Sequence, residues 1–228
     1  MKFNKFVAMA IVLIIPLIFY AYFEFKKQNE GVRIKELPFL SLDSIPDFRL
    51  IDQKGETFER KDIEGKIAVV DFFFTTCPGI CPKLTGQMQR LQKYIFEHPN
   101  LKADYQLISI TVDPETDTVG RMQHYAKEEN ISYDYWKLLT GNKDSIYELA
   151  TGFFKLPAID LGTDTVPEPF VHSERMVLLD RKGFIRGYYD GTDSSTVNEL
   201  MKDIVFLDIN YEIEDGKARK KQADDAKQ

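Results

Sequence analysis

The chain has 228 residues, a formal net charge of −6 and a sequence pI of about 5.2. This acidic balance gives no support for nucleic-acid binding, because proteins that bind nucleic acids neutralise phosphates with an excess of basic residues. The length is sufficient for one domain with a sizeable core and for additional segments outside it.

An uncharged apolar stretch lies near the amino terminus. Residues 6–23 read FVAMAIVLIIPLIFYAYF, about the length that spans the hydrocarbon core of a bilayer. A cleavable signal sequence is the alternative, but it usually has a shorter apolar centre followed by a small-x-small cleavage site, which residues 21–24 (AYFE) do not supply. We therefore expect residues 1–27 to form an uncleaved, single-pass membrane anchor. Basic residues ahead of it favour a domain on the exported side, joined by a linker at 28–44 that begins with the polar, charged residues 28–36.

The rest of the chain alternates between predicted strands and helices. In chain order, these are a hairpin at 48–58, a strand at 66–74, a helix from Pro82, a strand at 105–112, a helix at 119–129, a short strand at 135–140, a helix at 144–151, an irregular loop at 157–169, a hairpin of 175–180 with 184–190, and a helix at 194–207. This order predicts an α/β sandwich with a mixed central sheet over residues 45–210. Residues 211–228 are highly charged and are expected to form a disordered tail.

Both cysteines of the chain lie at one predicted strand-to-helix junction. The run KIAVVDFFF at 66–74 is β-branched and aromatic, which predicts a strand buried on both faces of a sheet. Cys77 and Cys81 follow it, and Pro82 is tolerated in the first turn of a helix because the missing N–H would be unpaired there anyway. A helix amino terminus favours thiolate over thiol, so both sulfurs are expected to be nucleophilic and able to bind metal.

The spacing of the two cysteines allows more than one role. If the helix begins near Pro78, Cys77 and Cys81 lie one turn apart on one face, close enough for a reversible disulfide or for one soft metal ion. Inert buried cysteines or a structural disulfide are the alternatives, although a bridge that closes so short a loop stabilises little. A C-x-x-x-C after the first long buried strand is close to the thioredoxin-like arrangement, whose C-x-x-C is one residue shorter.

Two thiolates alone are an incomplete site for most metals, so a third ligand is sought among the three histidines. His98 follows a helix, and His124 lies on the helix face opposite its apolar residues, so both are expected at the surface. His172 ends the proline-containing loop just before the strand at 175–180. In a thioredoxin-like fold this loop returns beside the cysteines, so His172 can face the sulfurs; a histidine that caps a strand is the alternative.

Three separated segments resemble the Sco/SenC family of membrane-anchored copper chaperones of cytochrome c oxidase assembly. They are TTCPGICP at 75–82, SITVDPETDT at 109–118 and VHS at 171–173, and the resemblance covers roughly residues 45 to 207. It implies a thioredoxin-like fold in which Cys77, Cys81 and His172 are the copper ligands. It also implies that Asp113 lies in the segment associated with the site, where an ordinary turn or helix-capping residue is the alternative.

The chemistry of these ligands agrees with copper. Two thiolates and an imidazole suit Cu(I), and they can hold Cu(II) with an added oxygen ligand, whereas Zn(II) prefers a fourth strong ligand. The resemblance implies a metallochaperone and thiol reductant for the dinuclear copper site of cytochrome c oxidase. Its implied partners are the copper-site subunit of a terminal oxidase, a copper donor and a thiol reductant.

Other functions use the same residues. A membrane-tethered thiol:disulfide oxidoreductase or thiol peroxidase would use Cys77 as the attacking thiol and Cys81 as the resolving thiol. A copper-responsive signalling or redox-sensing module would need the same three residues. A structural domain with an incidental dithiol is the last alternative, and it requires three coincident motifs.

Overall fold

A computed structural model of the protein describes Ile15, Phe19 and Tyr20 and residues 36–98, 105–159, 170–171 and 173–225. The strands are β1 (Arg49–Asp52), β2 (Thr57–Glu59), β3 (Ile67–Phe73), β4 (Tyr105–Thr111), β5 (Trp136–Thr140), β6 (Ala158–Ile159), β7 (Phe170–Val171), β8 (Arg175–Leu179) and β9 (Ile185–Asp190). The helices are α1 (Cys81–Glu97), α2 (Val119–Glu128), α3 (Lys143–Tyr147), which continues as a π-helical turn (Glu148–Phe153), and α4 (Ser194–Asp225); a 3-10 turn (Arg60–Asp62) follows β2.

Seven of these strands form one mixed sheet in the order β2-β1-β5-β4-β3-β8-β9. The strands β3, β4 and β5 are parallel, and the outer pairings are antiparallel. The predicted α/β fold with a mixed sheet is therefore confirmed. Because β3 and β4 are parallel neighbours, the loops that follow them leave the same edge of the sheet.

The central strand β3 is buried along its whole length, as its uniformly apolar sequence predicts. Val69 and Phe73 belong to the core on one face of the sheet. Val70 and Phe72 belong to the core on the other face, because successive side chains of a strand alternate. The first core also contains the apolar face of α1, which consists of Leu84, Met88, Leu91 and Ile95. This packing fixes α1, and with it the cysteine-bearing junction, against the sheet.

The last part of the predicted linker belongs to the folded domain. The Leu40 N–H donates to the carbonyl of Ile185, and the Ile45 N–H donates to the carbonyl of Gly183, both at 2.8 Å. Leu37 and Ile45 are buried. Residues 36–45 thus cover the edge strand β9, whose backbone groups need partners, which corrects the predicted linker over 36–44.

The last helix is longer than the sequence predicts. The prediction ends this helix at 207 and leaves a disordered tail, whereas α4 continues to Asp225. Arg181, in the turn between β8 and β9, lies 3.2 Å from an Asp208 carboxylate oxygen and 3.6 Å from one of Asp215. Its guanidinium also stacks over the Tyr211 ring at 4.9 Å. These three partners share one helix face, so Arg181 contacts a segment whose composition is typical of disorder at three places.

The predicted membrane anchor falls almost entirely outside the described residues. The chain divides into a first unit at Met1–Lys35 and a second at Glu36–Gln228, which contains the sheet. Within the part of the chain that the structure describes, no helix is both long and apolar enough to cross a membrane. The anchor therefore stays a prediction.

Candidate metal and dithiol site

The two cysteines lie where β3 passes into α1. The helix begins at Cys81 rather than near Pro78, so Cys77 precedes it in a turn, and the predicted one-face helical pair is corrected. The Cys77 N–H donates to the carbonyl of Phe74 at 3.2 Å, which closes this turn. Pro82 occupies the first helical turn, as predicted.

The two thiols are close together but differ in their electrostatics. Cys77 is 9% exposed and Cys81 is 4% exposed, and no disulfide joins them. Burial raises the pKa of the Cys81 thiol well above its ordinary value, and its hydrogen bond with Cys77 raises the pKa further. The expectation that the helix terminus favours both thiolates therefore fails at Cys81, because desolvation outweighs the helix dipole there.

Asp71 is a buried carboxyl group in β3, behind the cysteine loop. It accepts a hydrogen bond from the Ser109 hydroxyl, which in turn accepts one from the indole N–H of Trp136 at 2.9 Å. Burial raises the pKa of Asp71 to about 7 although the Ser109 hydrogen bond opposes the shift. The negative charge of Asp71 also contributes to the raised pKa of Cys81. In the sequence, Asp71 stands out as an acidic residue within an otherwise apolar strand, but this pattern alone predicts no function for it.

Asp117 is a second buried carboxylate that sequence reasoning misses as a site residue. Its side chain accepts hydrogen bonds from Thr75, in the cysteine loop, and from Thr111, at the end of β4. Arg121 completes this cluster through a 2.6 Å hydrogen bond to the Thr75 hydroxyl. The only sequence signal for a role of Asp117 is its place in the segment 109–118.

Asp113 behaves as a turn residue. Its N–H donates to the Thr111 hydroxyl at 3.0 Å, and its carboxylate accepts from the Thr116 N–H at 3.4 Å. Its carbonyl accepts from the N–H of Asp117 at 2.8 Å. This geometry matches the turn alternative, and it is Asp117, not Asp113, whose side chain contacts the cysteine loop.

Two of the three histidines lie at the surface, as expected. His98 contacts the carbonyl of Tyr94 at 2.7 Å, and the exposed His124 lies 3.2 Å from Glu128. His172 falls outside the described residues, between Val171 and Ser173. Over the described ranges, no group of three or more histidine, cysteine, aspartate or glutamate residues is placed to hold a metal ion. The set of Cys77, Cys81 and His172 therefore stays a prediction.

Comparison with known proteins agrees with this fold. The family model described as SCO1/SenC matches residues 41–205. A SCO1 protein homolog of Bacillus subtilis is 31% identical over 162 residues, which are 69% of this chain and 79% of that protein.

Two solved structures are similar over most of the chain. The first is BsSco, described as a member of the Sco family of cytochrome c oxidase assembly proteins with a disulfide switch. Its TM-score is 0.63 at 27% identity, and the match covers 76% of this chain and 98% of the BsSco chain. The second is Arabidopsis thaliana ScoI with copper bound, with a TM-score of 0.59 at 26% identity over 74% of this chain and 99% of its own. The family match begins before β1, includes both cysteines and ends within α4. The chain therefore belongs to the SCO1/SenC family.

Proposed function

We propose that this protein binds copper through Cys77, Cys81 and His172 and that it serves as a metallochaperone and thiol reductant in assembly of the dinuclear copper site of cytochrome c oxidase. The observation that carries the proposal is the position of two free, buried thiols, Cys77 and Cys81, at the carboxyl end of β3. The copper bound by A. thaliana ScoI and the oxidase-assembly role of BsSco's family support it.

The cysteine pair fits a soft metal ion. Thiolate sulfur selects Cu(I), and the two sulfurs lie at one strand-to-helix junction, where they can share one ion. Metal ligation requires the thiolate, so the raised pKa of Cys81 means that copper binding releases a proton and strengthens with pH. Oxidation to a disulfide removes both sulfur ligands at once, which couples copper occupancy to the redox state of the pair.

The position of Glu174 supports His172 as the third ligand. The Gly191 N–H donates to the carbonyl of Glu174 at 2.7 Å, and a Cβ atom at Gly191 would collide with the side chain of Leu84. Leu84 is in the first turn of α1, which begins at Cys81. His172 precedes Glu174 by two residues in the sequence, and Glu174 is hydrogen-bonded to Gly191, which packs against the cysteine-bearing helix.

The site also implies a cellular setting. We propose that residues 6–23 anchor the chain in a membrane and that the domain lies on the exported side, in the periplasm or its equivalent. That compartment is oxidising, so the dithiol must be kept reduced or bound to metal. The partners are then the copper-site subunit of a terminal oxidase as client, a copper donor, and a thiol reductant.

Anaerobic copper titration of the reduced full chain, in mild detergent, tests this function. We expect a single copper ion per chain and, for Cu(II), sulfur-to-copper charge transfer in the visible spectrum. Cys77→Ser, Cys81→Ser and His172→Ala should each lose or distort the copper signals, whereas His124→Ala, which changes an exposed histidine, should match the wild type. A reduced chain that retains no copper would refute the chaperone assignment.

The second candidate is thiol–disulfide exchange without a metal role. The difference in exposure between the two thiols favours it, because the more exposed Cys77 can attack a disulfide while the more deeply buried Cys81 resolves the intermediate. BsSco, moreover, is described with a disulfide switch. Rapid exchange with disulfides in a chain that binds no copper would support an oxidoreductase. Peroxide turnover that depends on Cys77 and is unaffected by His172→Ala would support a thiol peroxidase.

A further inference from the structure

A fully buried carboxylate joins the two loops that leave the sheet beside the cysteines. Asp117 has no exposed surface, and its Oδ2 accepts from the Thr75 N–H at 3.1 Å and from the Thr111 hydroxyl at 2.5 Å. Its Oδ1 accepts from the Thr75 hydroxyl at 2.5 Å. Thr75 follows β3 in the loop that carries Cys77, and Thr111 is the last residue of β4. One side chain therefore fixes the cysteine loop to the neighbouring strand.

Arg121 closes this cluster from the solvent side. Its Nε donates to the Thr75 hydroxyl at 2.6 Å and lies 3.9 Å from Asp117 Oδ1. A buried carboxylate is stable only with hydrogen-bond donors and a compensating charge, and Asp117 has both. Two hydrogen bonds to Asp117 and one from Arg121 hold Thr75 in one position.

Thr75 lies within the backbone turn that determines where the sulfurs are. The Cys77 N–H donates to the Phe74 carbonyl at 3.2 Å. Cys81 lies at the start of α1, outside this turn. A displacement of Thr75 would therefore move Cys77 relative to Cys81.

Helix capping does not account for this carboxylate. Thr118, not Asp117, is the N-cap residue of α2. The oxygens of Asp117 accept from Thr75 and Thr111, which both lie outside that helix. The hydrogen bond to Thr75 joins residues 42 positions apart, so it is a tertiary contact.

We propose that Asp117 is a positioning residue for the dithiol: its carboxylate fixes the turn at 74–77 and thereby the relative placement of the Cys77 and Cys81 sulfurs. The consequence for copper rests on the proposed function, whereas the consequence for the dithiol does not. Asparagine has nearly the same shape, but its NH2 group would face a donor in place of one acceptor oxygen, so Asp117→Asn disrupts the cluster with little change in volume.

Asp180 offers a matched control. It is also a buried carboxylate that accepts from two backbone N–H groups, those of Lys182 and Phe184, and from an arginine, Arg186, at 2.8 to 3.0 Å. It follows Leu179, which pairs with Ala68 at the beginning of β3, so it lies at the opposite end of that strand from Cys77. Asp180→Asn therefore tests the general loss of a buried carboxylate.

The test compares both variants as full chains. The first measurement is the copper-free equilibrium with dithiothreitol, which reduces the Cys77–Cys81 disulfide to two thiols and becomes a cyclic disulfide itself. The second measurement is copper affinity. For Asp117→Asn we expect the dithiol–disulfide equilibrium constant to change, and copper affinity to fall, by about tenfold or more. Asp180→Asn should lower the unfolding temperature but leave both constants within about twofold of wild type.

Each result decides the inference. It is overturned if folded Asp117→Asn keeps both constants within about twofold of wild type, or if Asp180→Asn shifts them equally. If Asp117→Asn does not fold, Thr75→Val removes the hydroxyl between Asp117 and Arg121, and Thr75→Ser restores it. Equal dithiol equilibria for these two variants would overturn the inference. If wild type binds no copper, the proposed function fails and the dithiol equilibrium alone decides the role of Asp117.

Discussion

Asp71 and Ser109 are directly paired across the parallel strands β3 and β4, and the Ser109 hydroxyl donates a hydrogen bond to the Asp71 carboxyl group. The pair is buried between the two cores, and the same hydroxyl accepts from Trp136. A carboxyl group at this depth is poorly solvated, so its neutral form is favoured. Its pKa is therefore raised from 3.8 to about 7.

This shift predicts a pH-dependent stability difference for Asp71→Asn. Folding raises the pKa of the acid, so the folded state binds its proton more tightly, and stability is lost as the pH rises from about 4 to about 7. The asparagine variant has no such loss. Its unfolding free energy relative to wild type should therefore increase by up to about 4 kcal/mol between about pH 4 and about pH 8.

Urea denaturation at the two pH values measures this difference. Asp47→Asn, which changes an exposed carboxylate, provides the control and should differ from wild type by the same small amount at both pH values. A stability difference between Asp71→Asn and wild type that does not depend on pH would show that Asp71 is not held neutral by the fold.

The two thiols should differ in reactivity. Cys77→Ser leaves Cys81 as the single thiol, and Cys81→Ser leaves Cys77. Because burial raises the pKa of Cys81 and the thiolate is the nucleophile, iodoacetamide at about pH 8 should modify Cys81 at least about tenfold more slowly than Cys77. Both variants should react at the same rate in denaturant, and equal rates in the folded proteins would contradict the prediction.

Arg181 should control the order of the end of α4. Arg181→Ala removes the ion pairs with Asp208 and Asp215 and the stacking on Tyr211, which together stabilise the helix end by about 1 kcal/mol. Amide hydrogen exchange in residues 208–225 should then be about fivefold faster, whereas β3 should be unaffected. Lys182→Ala removes an exposed neighbour and is the control; unchanged exchange in Arg181→Ala would mean that other contacts hold the helix.

Gly191 should tolerate no side chain. A Cβ atom there would collide with Leu84 and would lie 3.0 Å from Met176 and 3.1 Å from the Glu174 carbonyl. Gly191→Ala should therefore lower the unfolding free energy by about 1 to 3 kcal/mol in thermal or urea denaturation. A Cβ atom at Gly86, inside α1, would meet no atom within 4 Å outside the helix backbone, so Gly86→Ala should raise stability by up to about 1 kcal/mol. Equal effects of the two substitutions would refute this packing.

The amino-acid sequence by itself determines the framework that carries the dithiol. The apolar run of β3 and the helical spacing from Leu84 to Ile95 reflect which faces are buried, whereas the turn at 181–183 reflects local turn chemistry; the structure confirms all three. The position of both cysteines at the end of β3 follows from this pattern. Such features are predictable because period and composition reflect which face of an element is buried.

The tertiary structure decides what depends on partners distant in sequence. The sequence predicts the short strand at Trp136–Thr140, but its place between β1 and β4 follows only from their pairing with it. Burial reverses the electrostatics that the helix terminus predicts for Cys81, and Arg181 contacts the charged part of α4. Asp117 reaches Thr75 across 42 positions, because a buried carboxylate takes whichever donors the fold brings to it, and local sequence does not specify them.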